Sequence, residues 1–202
     1  SEQVKWILEI LTQIREDRHV IMFCATWPAA IEELAKKACT TNPVHVIIGS
    51  TTIAACKSIC QEFVQVDDEL ERSLVEVKAQ VLIKAVQKFR EEYGDDVKGL
   101  IFCNRTETVD EVVRTLEGTS ICCKGFSSSL IPHERDETLK EFRRPDGPLT
   151  CLACTKVLGR GLDFPGLRFV INYDMPNNIV EYVHCIGRTG RAGLKGSSLT
   201  LI

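Results

Sequence analysis

The sequence contains no Gly-x-x-x-x-Gly-Lys-Ser/Thr loop, and no Gly-x-Gly-x-x-Gly turn follows a predicted strand. Both patterns surround phosphates with backbone N–H groups, so nothing in these 202 residues is expected to cradle a nucleotide. Long apolar runs and a secretory signal are also missing, which argues against a membrane-bound protein. Internal repeats and low-complexity segments are absent as well. We expect a globular protein without a complete phosphate site of its own.

Charge of one sign is not in large excess either. The formal net charge is -3, with 25 Lys and Arg against 28 Asp and Glu. Such a balance argues against a protein that coats polyanions over its whole surface. A nucleic-acid-binding function would therefore need a local basic patch.

Ten cysteines are too few for a disulfide scaffold in a chain of 202 residues. We expect reduced thiols, and hence a nuclear or cytoplasmic location. The CLAC segment (151–154) could indicate zinc, but no second ligand pair has matching spacing, and residues three apart on a strand point to opposite faces. Cys103, Cys151 and Cys154 are predicted to be small buried apolar residues, and no metal site is predicted.

Short apolar runs alternate with amphipathic helical patterns. The runs predicted as strands are VIMFCA (20–25), VHVIIG (44–49), GLIFC (99–103), SICC (120–123), LTCLAC (149–154) and LRFVINY (167–173). Helical spacing relates Val4, Ile7, Leu8, Leu11 and Ile14, then Val77, Val81, Leu82, Ala85 and Phe89, then Val109, Val112, Val113 and Leu116. Continuously apolar strands are buried on both faces, so the pattern predicts an α/β fold: a parallel sheet with helices on both faces.

Residues 50–58 (STTIAACKS) are small and polar without a clear period, and they predict a linker. The segment 59–202 begins with the strand-like ICQEFVQV (59–66) and has enough predicted strands and helices for a complete domain. Residues 1–49 have only two of each, too little sheet to cover their helices. We expect 1–49 to be the remnant of another domain, with apolar faces that can pair with a second copy.

Polar residues follow four of the apolar runs, at the strand ends where open parallel sheets bind ligands. They are Thr26, Asn104, Thr155 and Asp174. For any single one of them, the favoured alternative is that its side chain caps the next helix. Four together favour a binding edge.

The segment KVLGRGLD (156–163) adds candidate ligands. Its glycines would let the backbone approach a bound molecule closely. Arg160 supplies a planar fork of donors, and Asp163 could accept a hydrogen bond from a ribose hydroxyl.

A helix is predicted from Asn178, with Ile179, Val183 and Ile186 facing the sheet and Glu181, His184 and Arg188 sharing another face. We expect Gly187 and Gly190 to loosen the end of this helix, so that Arg188 and Arg191 can swing together over one anion. The alternative is a solvated turn. Since nothing cradles phosphates here, the arginines are expected to form one half of a site.

These segments, in this order, resemble the motifs of DEAD-box RNA helicases. TKVLGRGLD and HCIGRTGRAG are similar to the fifth and sixth motifs, LIFCNRTETVDEV to the fourth, and MFCATWP to the Ser-Ala-Thr motif of the first RecA-like domain. The resemblance spans nearly the whole chain. It implies a RecA-like fold, with 1–49 as the C-terminal remnant of the first RecA-like (helicase ATP-binding) domain and 59–202 as the second RecA-like (helicase C-terminal) domain.

The resemblance also implies roles for single residues. Arg188 and Arg191 match the arginine fingers that reach the γ-phosphate of ATP, and Asp163 matches the carboxylate on the ATP ribose. His184 and Thr26 match residues that couple the two domains. Contacts with the RNA backbone are implied for Asn104, Arg105, Ser128 and Thr155. ATP with Mg²⁺ would be held mainly by the missing first domain, and the fragment alone would be inactive.

Several positions depart from the family pattern. Cys24 replaces Ser in the Ser-Ala-Thr motif, Lys156 stands where the family has Asp, and Cys185 where it has Arg. FSSSLIPHER (126–135) replaces the usual His-Gly and Gln-x-x-Arg pattern, although Arg135 remains. Two interpretations stay open. The retained arginines favour an active ATP-dependent RNA helicase, and the departures favour a non-catalytic helicase-like RNA-binding or protein-interaction module.

Overall fold

The computed structural model of the chain describes residues 2–24, 27–39, 43–48, 54–67, 73–155 and 164–202. The chain divides into two compact units, 1–53 and 54–202, and each is described by itself. In the first unit, the described residues form helices α1 (Glu2–Gln13) and α2 (Ala29–Ala38). Within the described ranges, no helix is both long enough and apolar enough to cross a membrane.

The two apolar runs of the first unit do not form the strands predicted for them. Residues 20–24 and 43–48 are described without strand pairing. Their large side chains are exposed, Phe23 to 94% and Ile48 to 93%. A strand that is apolar on both faces needs neighbouring strands and covering helices, and the described part of this unit supplies no partner strand.

The second unit contains a six-stranded parallel sheet, which confirms the predicted α/β class. Its strands are β1 (Ile59–Val64), β2 (Lys98–Cys103), β3 (Cys123–Phe126), β4 (Cys151–Thr155), β5 (Leu167–Asn172) and β6 (Gly196–Leu201). Their spatial order is β1-β6-β5-β2-β4-β3. The strand predicted at 120–123 begins only at Cys123, because Thr119 caps a turn there by accepting the N–H of Ile121 at 3.1 Å.

Among the described residues, four helices connect these strands: α3 (Leu74–Tyr93), α4 (Thr106–Leu116), α5 (Pro132–Phe142) and α6 (Ile179–Ile186). Local sequence explains where they begin. The Ser73 hydroxyl accepts the Glu76 N–H and the Glu76 carboxylate accepts the Ser73 N–H, a reciprocal cap that starts α3. Asn178 Oδ1 accepts the Glu181 N–H at 2.9 Å and starts α6.

Alternate residues of each central strand pack on opposite faces of the sheet. Along β2, Ile101 and Cys103 pack in one apolar cluster, which includes residues of α3 and α4, while Leu100 and Phe102 pack in another with residues of α5. This two-sided burial is why the strand sequences are apolar throughout.

The cysteines follow the same geometry. Cys151 and Cys154 lie in the two different clusters, so they are on opposite faces of β4 and cannot bind one zinc ion together. Cys103 is buried as well, which confirms these three as buried apolar residues, and all ten cysteines are free. Burial raises the pKa of the Cys151 thiol to about 12. Among the described residues, no group of three or more His, Cys, Asp or Glu is placed to hold a metal ion.

Candidate functional site

The structure gathers the predicted RNA contacts along one edge of the sheet. Asn104 follows β2, Ser128 follows β3, and Thr155 ends β4. These three parallel strands are neighbours in the sheet, so their carboxyl ends form a row. Asn104 and Ser128 are exposed and Thr155 is half-buried, so all three present polar groups at this edge. We refer to it as the carboxyl edge.

Asp174 holds the β2–α4 turn that carries Asn104 and Arg105. Its Oδ2 accepts the Asn104 N–H at 2.8 Å, and its Oδ1 accepts from Lys78 Nζ at 3.3 Å. The Asn104 side chain donates to the Met175 carbonyl at 3.3 Å. Asn104 therefore does not cap α4, whose N-cap residue is Arg105 without a side-chain cap bond. Asp174 positions this turn.

Arg135 holds the loop that departs from the family pattern. From α5 it donates to the Leu130 carbonyl at 2.9 Å and to the Ser128 carbonyl at 3.5 Å. Ser127 is buried and shares a hydrogen bond with Ser129, with 2.5 Å between their hydroxyl oxygens. The loop is thus closed by its own side chains. The sequence shows only that Arg135 is retained and carries no signal of this structural role.

The arginine pair does not lie at the carboxyl edge but in the loop that follows α6. His184 is in the last turn of α6, and Gly187 is its C-cap residue. Arg188 Nε donates to the His184 carbonyl at 3.3 Å, and Arg191 Nε donates to the Gly187 carbonyl at 2.8 Å. Each guanidinium thus rests on a carbonyl four residues earlier, at the helix end that carries partial negative charge. We call residues 187–196 the arginine loop.

The arginine loop packs against the amino ends of the strands. Thr189 Oγ1 donates to the carbonyl of Leu167, the first residue of β5, at 2.7 Å. Gly190 lies against Ser58 and Ile59, where β1 begins. The arginines are therefore anchored at the opposite edge of the sheet from Asn104, Ser128 and Thr155.

The expectation that glycines loosen this segment is wrong for its backbone. Gly190 has a φ of +68°, a conformation that favours glycine. A Cβ there would lie 2.6 Å from Ile59 Cγ1 and 2.8 Å from Ser58 Oγ. Gly190 thus permits close packing of the arginine loop against the start of β1.

One other expectation for α6 needs correction. Ile179 does not face the sheet: it is 59% exposed, whereas Tyr182, Cys185 and Ile186 are buried. The helix packs through these three buried residues because Tyr182 reaches β1, where its hydroxyl donates to Gln61 Oε1 at 2.7 Å. Cys185 is 4% exposed in the apolar cluster of Cys154, so it packs as a small apolar group.

Some residues singled out in the sequence lie outside the described residues, among them Thr26, Lys156 and Asp163. Gly159, Arg160 and Gly161 lie outside them too. Phe164, which follows Asp163 in sequence, is buried edge-on against Phe142 with 5.2 Å between ring centroids.

A family model described as the helicase conserved C-terminal domain matches residues 77–193. The ATP-dependent RNA helicase DBP2 of Lodderomyces elongisporus is 38% identical over 194 residues, which are 96% of this chain and 33% of that protein. The chain therefore spans about a third of the length of the DBP2 relatives that it matches.

Solved structures share the fold. Dbp5 of S. cerevisiae bound to RNA and ADP BeF3 has a TM-score of 0.77 at 24% identity, covering 98% of this chain and 48% of that chain. The E. coli DEAD-box protein SrmB, bound to regulator of ribonuclease activity A, has a TM-score of 0.60 at 28% identity, covering 73% of this chain and 79% of that chain.

Proposed function

Since the chain belongs to the helicase conserved C-terminal domain family and contains the C-terminal RecA-like domain of a DEAD-box helicase, we propose that it serves an ATP-dependent RNA helicase by supplying arginine fingers and part of the RNA-binding surface. The whole protein would use ATP for local RNA unwinding or remodelling. The supporting observation is that Arg188 and Arg191 lie on one anchored loop beside His184.

On the nucleotide side, Arg188 and Arg191 would approach the γ-phosphate of an ATP molecule presented by another domain. A guanidinium is always charged, and its fork of donors suits two phosphate oxygens. Asp163 would bind the ribose, while His184 and Thr26 would couple the two domains. The first RecA-like domain would hold the phosphates and most of the Mg²⁺ contacts, because the sequence carries no phosphate loop of its own.

On the RNA side, Asn104, Arg105, Ser128 and Thr155 would contact one strand at the carboxyl edge. Their groups are a short amide, two hydroxyls and a guanidinium, which suit sugar and phosphate oxygens. Such contacts fix the position of a strand and carry little sequence information. The separation of this edge from the arginine loop would let the domain hold RNA and ATP at the same time.

We expect this chain alone to bind single-stranded RNA weakly, with little sequence preference and with affinity that falls steeply as salt rises. Fluorescence anisotropy with two unrelated strands at several salt concentrations measures both properties. Arg105→Ala should lower the slope of log affinity against log salt by about 0.7, since one phosphate contact on a single strand is lost.

Arg114→Ala is the matched control for this experiment. Arg114 is an exposed arginine near the other end of α4, so the slope should stay as in the wild type. A strong preference for one strand, or affinity independent of salt, would contradict the proposed RNA contacts.

Residues 1–49 would pack against the rest of the first RecA-like domain in the whole protein, and they would pair with a second copy where that part is missing. Exposed apolar side chains such as Phe23 and Ile48 support this proposal. Sedimentation equilibrium of the 202-residue chain should show self-association that the full-length protein lacks. Phe23→Ser combined with Ile48→Ser should reduce this self-association. A chain that stays monomeric at all concentrations would contradict the proposed pairing.

The proposed location of the protein is the nucleus or the cytoplasm.

A non-catalytic RNA-binding or protein-interaction module is the second candidate. It is favoured by the burial of Cys185 as an apolar group where the family pattern has a charged residue. RNA-stimulated ATP turnover by the full-length protein separates the two candidates, because the module would bind RNA without it.

A further inference from the structure

The arginine loop is tied to the residue at which the chain enters β1. Ser58 Oγ donates to the Gly190 carbonyl at 2.8 Å, although the two residues are 132 positions apart in the sequence. The Ser58 carbonyl accepts the Gly196 N–H at 3.0 Å. One serine therefore holds the arginine loop at its middle and at its end.

The first of these bonds acts directly on Arg191. The Gly190 carbonyl belongs to the peptide unit that joins Gly190 to Arg191, so fixing its oxygen fixes the nitrogen of Arg191. On the other side, Arg191 Nε donates back to the Gly187 carbonyl at 2.8 Å. Close packing of Gly190 on Ile59 prevents the loop from shifting towards β1.

We infer that Ser58 is a positioning residue for the arginine pair. Through its hydrogen bonds, the segment that leads into β1 helps to set where the two guanidinium groups lie. This inference rests on the proposed function for its consequence in turnover. A displacement of reacting groups by about 1 Å can cost on the order of 10²-fold in rate, so even a small shift of the loop matters.

The Cys56 thiol provides a matched control beside the same serine. Cys56 Sγ lies 3.0 Å from Ser58 Oγ, and Cys56 is exposed. Ser58 has one hydroxyl proton, which lies in the hydrogen bond to the Gly190 carbonyl. The Cys56 thiol is therefore the donor in its contact with Ser58 Oγ. Removing the thiol leaves the bond to Gly190 in place.

The first test measures ATP turnover by the full-length protein with saturating RNA. Ser58→Ala should lower kcat by about tenfold or more through misplacement of the arginines, with KM for ATP unchanged. Ser58→Thr, which keeps a hydroxyl, should recover most of the loss, and Cys56→Ala should behave as wild type. A merely structural serine would lower the melting temperature and leave kcat unchanged well below it.

The second test does not depend on turnover. In the 202-residue chain labelled with 15N-arginine, the Arg191 Nε–H signal should exchange with solvent about fivefold faster in Ser58→Ala, as expected for a weakened bond to Gly187 worth roughly 1 kcal/mol. The same signal in Cys56→Ala should not change.

The two measurements keep the inference separate from the proposed function. If Arg188→Ala lowers turnover but Ser58→Ala changes neither kcat nor the Arg191 signal, the positioning role is wrong and the proposed function stands. If Arg188→Ala has no effect on turnover, the proposed function fails. The Arg191 signal then decides whether Ser58 holds the loop.

Discussion

Replacing either Arg188 or Arg191 with alanine in the full-length protein is expected to lower RNA-stimulated ATP turnover by about 10³-fold or more, which is the range for arginine fingers supplied from outside the phosphate-binding unit. The reason is electrostatic. Charge develops on the transferred phosphoryl group in the transition state, and a guanidinium placed beside it stabilises that charge. ATP binding should change little, because most ground-state contacts would come from the other domain.

Lysine is an informative replacement at position 188. It keeps the positive charge but lacks the planar fork that can bind two oxygens, so Arg188→Lys should recover only a small part of the lost rate. Phosphate release with saturating RNA measures turnover, and binding of a fluorescent nucleotide measures affinity.

Arg114→Ala is the matched control here too. Arg114 Nε donates to the Asp110 carbonyl at 3.2 Å, four residues earlier, which is the same local contact that both loop arginines make. Its loss removes an arginine of similar local geometry from α4, so turnover should not change. Near-normal turnover in both Arg188→Ala and Arg191→Ala would remove the arginines from the mechanism and contradict their proposed role as fingers.

Most of the second unit could be predicted from its sequence because its signals are local. Leu100 to Cys103 are apolar without interruption, since the strand is buried on both faces, and Asn178 starts α6 with its own side chain. The polar residues at the strand ends follow from the same pattern. Once those strands are parallel, Asn104 and Thr155 must lie at one edge.

What the sequence did not reveal depends on distant parts of the chain. The arginine loop lies at the edge opposite Thr155 because it leads into β6, which is parallel to β5, and the strands predicted from the sequence end with 167–173. The sequence around Gly190 predicts flexibility, but in the structure Ile59 packs against this glycine. Phe23 and Ile48 lie in runs that read as strands, but a strand forms only beside a partner strand.

The 202-residue chain alone is expected to release phosphate from ATP no faster than the uncatalysed background, with or without RNA. Phosphoryl transfer requires that the phosphates and Mg²⁺ are held, that a water molecule is oriented, and that developing charge is stabilised. Arg188 and Arg191 supply only the last of these, and Asp163 could hold a ribose but not a triphosphate. The full-length protein, which adds the proposed first RecA-like domain, should turn over ATP when RNA is present.

Contaminating ATPases are the main hazard in such a measurement, and the arginine variants resolve it. Any phosphate release that persists unchanged when the chain carries both Arg188→Ala and Arg191→Ala comes from another protein. Release that is present in the wild-type chain and lost in that double variant would show that these residues catalyse turnover without another domain. That result would overturn the half-site interpretation, because the guanidinium groups would then act on a triphosphate held by this chain itself.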